Sequence, residues 1–169
     1  LKEVIPVNPL NEHQQRAYHS ILENFQSKNV CLLHGITASG KTEVYMEMID
    51  AMLQRGKQCI VLIPEIALTY QTLLRFYKRF GDAVSVMHSR LSAGERYDQM
   101  KRAKRGEVQV MIGPRSALFT PFQKLGLIII DEEHETSYKS DSMPKYHARE
   151  VAVHLAEMTD ACVVMGSAT

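Results

Sequence analysis

Hydrophobic positions fall in short runs separated by stretches with helical spacing. Six runs are aliphatic or β-branched: "NVCLLHG", "QCIVLIP", "AVSVMHS", "VQVMIG", "LGLIIID" and "ACVVMGS". Between them, stretches near 41–54, 68–80, 92–105 and 146–158 have helical patterning, and an earlier helix is predicted over 11–26. Several runs are apolar at every position, most clearly Leu127 to Ile130. A strand that shows no alternation is one covered on both faces, as in a parallel sheet flanked by helices. The strand–helix alternation therefore predicts an α/β fold with a doubly wound, mainly parallel sheet, which binds ligands at the carboxyl ends of its strands.

Local signals agree. Asn11 suits a helix N-cap, with Gln14 three positions on as in a capping box. Gly56 and Gly106 follow the second and fourth predicted helices and suit left-handed C-terminal caps. The 169 residues fit one domain, and 45% hydrophobic with 23% charged residues describes a globular chain. A net charge of +1 neither favours nor excludes nucleic acid. No apolar run approaches the roughly 20 residues that span a membrane, so no membrane partner is expected. The start lacks both a secretory layout and an initiator methionine, so the chain is expected to be a piece of something longer. Cys31, Cys59 and Cys162 stand far apart without a C-x-x-C pair, which predicts buried, reduced cysteines in a cytoplasmic protein.

The stretch "LLHGITASGKTEVY" carries the first chemistry. Gly35, Ile36, Thr37, Ala38, Ser39, Gly40, Lys41 and Thr42 form a G-x-x-x-x-G-K-T phosphate loop, between a predicted strand and a predicted helix. Residues with little bulk let successive backbone N–H groups turn toward phosphate oxygens, and the helix dipole adds to the field. Lys41 is expected between the β- and γ-phosphates of ATP, with the Thr42 hydroxyl on Mg²⁺. A chance turn with an exposed lysine is the plain alternative, and the strand–helix context speaks against it.

Downstream, "LIIIDEEHE" ends an apolar strand in Asp131 and Glu132. Asp131 is expected to hold Mg²⁺ opposite Thr42, and Glu132 to orient or deprotonate the attacking water. An acidic turn after a strand is common in itself; the earlier phosphate loop favours the catalytic reading. Glu132 beside the metal-holding aspartate points to hydrolysis by water, and so to an ATPase.

Asp131-Glu132-Glu133-His134 resembles motif II of DExH helicases, and "GSAT" at the end of the chain resembles their motif III. Together with "ITASGKTEVY", "LIPEIALTYQ", "GPRSALFTPF" and "KYHAREVAV", the chain is similar to the bacterial primosomal helicases of the PriA family. The resemblance implies a RecA-like domain over residues 1–169, the first motor half of a replication-restart DNA helicase. Its implied cofactors are ATP and Mg²⁺. The implied partners are single-stranded or forked DNA, a second motor domain and other primosome proteins. Ala38 and Pro114 depart from the family's usual Gly and Thr, and Pro114 lacks a backbone donor.

Further candidates come from the resemblance or from their place along the predicted elements. Gln14 lies where such helicases read adenine, although a capping box explains it equally well. His134 would link hydrolysis to the coupling segment Gly166, Ser167, Ala168 and Thr169. Pro64, Glu65, Thr69, His88, Ser89, Arg115 and Ser116 follow three predicted strands, on the edge where DNA phosphates would lie, although as bare residues they also read as structural or N-capping; Arg115 is the best single candidate. Tyr138, Lys139, Lys145, Tyr146 and His147 combine rings and cations in a loop suited to bases and phosphates. Arg96, Lys101, Arg102, Lys104 and Arg105 form a basic patch that could hold DNA, but the solvated helix end, where cations are favourable, is the preferred reading. Alternatives are an RNA helicase or double-strand translocase motor, or an ATP- and partner-binding module without turnover of its own.

Overall fold

The computed structural model describes residues 9–25, 30–33, 38–131 and 147–166. Among these, five helices and six strands alternate. They are α1 (Glu12–Phe25), β1 (Val30–Leu33), α2 (Ala38–Gln54), β2 (Gln58–Leu62), α3 (Tyr70–Phe80) and β3 (Val84–Val86), followed by α4 (Ala93–Lys104), β4 (Val110–Gly113), β5 (Leu125–Ile130), α5 (Ala148–Thr159) and β6 (Cys162–Gly166). All six predicted strand runs are strands.

The strands form one sheet in the order β1-β6-β5-β2-β4-β3. Every pairing is parallel. β5 shows why its apolar run does not alternate. Leu127 and Ile129 pack with Val44, Met48 and Ile49 of α2 and with Phe76 of α3. Ile128 and Ile130 face the other way, onto Ala103 of α4 and Ala148, Ala152 and Ala156 of α5. Each fully buried aliphatic side chain of this kind contributes about 1.5–3 kcal/mol. The three alanines of α5 leave no bulk between helix and sheet.

β1 differs. It has only β6 beside it among the described residues, and Val30 and Leu32 are exposed while Cys31 and Leu33 are buried. The run looks as apolar as the others, yet one of its faces is uncovered by any described element.

The caps follow the sequence closely. The Asn11 carboxamide oxygen accepts from the Gln14 amide at 2.8 Å, and the Asn11 amide donates to Gln14 Oε1 at 2.9 Å. Gly56 and Gly106 have φ of 73° and 79°. The ends of α3 and α5 were less visible. α3 stops at Gly81, and α5 is closed by Asp160, a non-glycine residue in the left-handed region. Cys31, Cys59 and Cys162 are free thiols, the first two buried and the third half-buried. Burial pushes the Cys59 thiol far above its ordinary value, so it stays protonated and inert. No described helix is long and apolar enough to cross a membrane.

Candidate active site

Because all strands run parallel, their carboxyl ends share one edge of the sheet. α2 begins at that edge, just beyond β1. Its first turn brings in Gly40, Lys41 and Thr42, and the backbones of Ala38 and Ser39. A helix leaves its first N–H groups without intrahelical partners, and these groups carry the positive end of the dipole. Gly35, Ile36 and Thr37 lie outside the described residues.

Lys41 is only 1% exposed. A buried ammonium is costly unless an anion compensates it. Asp131, one residue past β5, provides that anion, with its Oδ1 3.9 Å from Lys41 Nζ. Charge-assisted hydrogen bonds are nearer about 2.8 Å, so this contact is ionic without being a hydrogen bond. Thr42 is half-buried beside Lys41. One hydroxyl and one carboxylate are hard oxygen donors, the kind and number of protein ligands that suit Mg²⁺, which keeps most of its waters. No cluster of three or more His, Cys, Asp or Glu ligands forms among the described residues, which leaves no competing all-protein metal cage there. The donor set thus fits a metal–phosphate complex. Glu132 and His134 lie outside the described residues, as do Ser167, Ala168 and Thr169. Gly166 is described and buried at the end of β6.

Tyr45 was not singled out from sequence. It is buried one turn after Lys41 on α2, and its hydroxyl donates to Asp131 Oδ1 at 2.8 Å. Two successive turns of α2 therefore converge on the same carboxylate oxygen. The signal was the i, i+4 spacing from Lys41. It acquires meaning only once β5 is known to end beneath that face of the helix.

Gln14 is buried and does two things. Beyond the capping box, its Nε2 donates to the Gly40 carbonyl at 3.2 Å and to Glu43 Oε2 at 2.6 Å. The carboxamide ties α1 to the first turn of α2. An adenine edge would meet this group already engaged.

The predicted DNA residues gather along the same edge, at the exits of three neighbouring strands in the order β2-β4-β3. Pro64 and Glu65 follow β2, His88 and Ser89 follow β3, and Arg115 and Ser116 follow β4. Two of these exits are 3-10 turns, Glu65–Ala67 and Arg115–Phe119, which the helical pattern did not foretell. Glu65 and Ser89 meet directly. The Ser89 amide donates to Glu65 Oε1 at 3.1 Å, and its hydroxyl donates to the same oxygen. These two bonds, the hydroxyl's foremost, hold the Glu65 carboxyl below its ordinary range, with His88 and Arg90 helping. Charged Glu65 thus persists to lower pH than an ordinary glutamate.

Thr69 caps α3, accepting from the Thr72 amide at 3.2 Å. Arg115 and Ser116 are half-buried. Tyr138, Lys139, Lys145 and Tyr146 lie outside the described residues. His147 is the N-cap of α5, its Nδ1 accepting from the Arg149 amide at 3.0 Å. In the basic stretch, Lys101 lies over the Tyr97 ring, and Arg102 stands 3.7 Å from Glu107. Lys101, Arg102 and Lys104 occupy the last turn of α4, which suits the helix dipole.

The family profile of the DEAD/DEAH box helicases matches residues 11–169. The chain belongs to the DEAD/DEAH box helicase family. It is 53% identical over 163 residues to the replication restart protein PriA of Bacillus subtilis, a match taking in 95% of this chain and 20% of that protein. PriA of Chlamydia trachomatis is 49% identical, over 95% of this chain and 22% of that one. PriA of Helicobacter pylori is 40% identical, over 100% and 27%. The resemblance to the primosomal helicases is borne out. The chain spans about a fifth to a quarter of the length of these curated relatives.

Solved structures agree on the fold of this DEAD/DEAH box chain. RecG bound to a three-way DNA junction superposes with a TM-score of 0.67 at 21% identity, over 98% of this chain and 21% of that one. The UvsW helicase of bacteriophage T4 gives 0.64 at 14% identity, over 99% and 56%. At such identities the likeness speaks for the fold alone. The sheet is the RecA-like one expected from the sequence.

Proposed function

We propose that the chain is the first motor domain of a PriA-type DNA helicase, coupling ATP hydrolysis to movement along DNA during replication restart and primosome assembly. One observation carries this reading. Lys41 of the phosphate loop and Asp131 of the DExH motif, far apart in sequence, meet at 3.9 Å on the ligand-binding edge of the sheet. Lys41 and the first turn of α2 would bind the β- and γ-phosphates of ATP, and Thr42 and Asp131 are the residues that would hold Mg²⁺. The metal, when bound, offsets charge on the phosphate oxygens. Glu132 accepts the proton of the attacking water as an oxygen–phosphorus bond forms at the γ-phosphate. The bond to the β-phosphate bridging oxygen breaks, and ADP and phosphate leave. Gly166 and the residues after it pass the change from the site to the DNA edge.

DNA is the proposed polymer, held by phosphate contacts along the exits of β2, β3 and β4. The cytoplasm is the proposed compartment. A second motor domain and other primosome proteins are the proposed protein partners. Competition between single-stranded DNA and RNA tests the choice of polymer, with DNA expected to win. RNA winning would favour an RNA helicase.

Arg115→Ala is expected to weaken single-stranded DNA binding and to flatten the slope of log affinity against log salt. The change should be about 0.7 to 1 unit, the value of one phosphate contact, whatever the DNA sequence. An unchanged slope takes Arg115 out of the DNA path.

Nucleotide binding is tested by melting. At a Mg-ADP concentration near 100 times Kd, the fold should gain roughly 2.7 kcal/mol, because only the folded site binds. Lys41→Ala should lose most of that gain. No shift in the wild-type chain at millimolar Mg-ADP would overturn the assignment.

A further inference from the structure

Tyr45 fills a place where three pieces of the site touch. Its hydroxyl donates to Asp131 Oδ1 at 2.8 Å, the same oxygen that lies 3.9 Å from Lys41 Nζ. It also lies over Gly166, at the end of β6. A Cβ built on Gly166 would stand 1.7 Å from the Tyr45 hydroxyl, 3.1 Å from its Cζ and 3.0 Å from Asp131 Oδ1. No side chain fits at position 166 while the hydroxyl occupies that space. β5 and β6 are neighbours, with Ile130 paired to Met165, so Asp131 and Gly166 leave the sheet side by side. The tyrosine from α2 closes over both.

We infer that Tyr45 is a positioning residue, whose hydroxyl fixes the Asp131 carboxylate for Mg²⁺ and seats it against the start of the coupling segment at Gly166. This rests on the proposed role of Asp131 as a metal ligand. A carboxylate on a loop can rotate, and a ligand set that must be assembled on binding costs affinity. The bond from Tyr45 removes one such freedom. Tyr45 is 2% exposed on the second turn of α2, so water cannot readily replace its donor. A buried tyrosine hydroxyl needs a partner in any case. A purely structural role would show in stability and leave the metal dependence untouched.

The test is the affinity of the 169-residue chain for a fluorescent ADP, with EDTA and with saturating Mg²⁺, alongside melting without nucleotide. Tyr45→Phe keeps the ring. It should bind ADP as the wild type does in EDTA, and should bind Mg-ADP about three- to tenfold more weakly, the range one hydrogen bond provides. Asp131→Asn should lose most of the Mg²⁺-dependent gain. Gly166→Ala should lower both the melting temperature and the Mg²⁺-dependent gain, by forcing the hydroxyl off Asp131. Combining it with Tyr45→Phe removes the 1.7 Å overlap and leaves only the tight contacts at 3.0 and 3.1 Å, so the double variant should melt higher than Gly166→Ala and still lack the gain.

Full Mg²⁺-dependent gain in Tyr45→Phe, with that gain lost in Asp131→Asn, would overturn the inference and leave the metal reading standing. The gain retained in Asp131→Asn would overturn both. Equal weakening in EDTA and Mg²⁺ would mean that the hydroxyl shapes the phosphate loop, contrary to the inference. Should Tyr45→Phe fail to fold, Gly166→Ala alone decides the matter: a folded Gly166→Ala chain that keeps the full Mg²⁺-dependent gain contradicts the inference, and one that loses it while binding ADP normally in EDTA supports it.

Discussion

Glu132→Gln is expected to leave Mg-ATP binding intact and to slow hydrolysis about 10²- to 10⁴-fold, the usual share of a general base. The exchange keeps size and hydrogen bonding and removes only the group that takes water's proton. It is measured with the chain placed in the full-length Bacillus subtilis relative, in place of the matched residues. Binding is followed by nucleotide fluorescence and turnover by phosphate release. Lost binding would make Glu132 structural, and normal turnover would deny it a chemical role. The contrast with Lys41→Ala is part of the prediction. The lysine variant should fail at binding and the glutamate variant after it.

A second large effect concerns what the 169-residue chain does alone. Moving a phosphoryl group to water builds charge on the γ-phosphate oxygens, which Lys41 and a metal offset only in part. Motor ATPases complete such sites with an arginine brought across a cleft, worth about 10³ to 10⁵ in rate. Among the described residues after Asp131, the one arginine is Arg149, and it is a poor candidate. It lies in the first turn of α5, which packs on the face of the sheet opposite α2 and Lys41. The chain alone should therefore bind ATP and hydrolyse it at background, even with single-stranded DNA. Joined to a second motor domain, it should turn over in a DNA-stimulated manner.

Much of this was legible in the residues, for identifiable reasons. The run at β5 announced a doubly covered parallel strand because every position in it is buried. Asn11 with Gln14, Gly56 and Gly106 marked helix ends because their chemistry is local, set within three or four residues. Family membership was legible in the phosphate-loop and "DEEH" motifs, because small residues, a lysine and an acidic pair have few uses in that order.

What escaped was set by distance along the chain or by exceptions to local rules. Asp160 closes α5 in a conformation usually left to glycine. The exits of β2 and β4 turn as short 3-10 segments, too brief for any periodicity. β1 stands at the edge of the sheet with Val30 and Leu32 exposed, which an apolar run of four cannot reveal. Tyr45 read as one more core residue on the buried side of α2. Its bond to Asp131 depends on β5 and β6 ending side by side under that helix, a fact of topology. Gln14 was seen as both a cap and an adenine reader, and its tie to Gly40 and Glu43 belonged to neither reading.

The most direct measurement is steady-state phosphate release, with and without single-stranded DNA, from the chain alone and from the chain carried in the full-length relative. Background turnover in the first and DNA-stimulated turnover in the second is the predicted result, abolished in the second by Lys41→Ala. Robust DNA-stimulated hydrolysis by the 169 residues alone would contradict a site completed from across a cleft, and turnover that survives Lys41→Ala would contradict the phosphate loop itself.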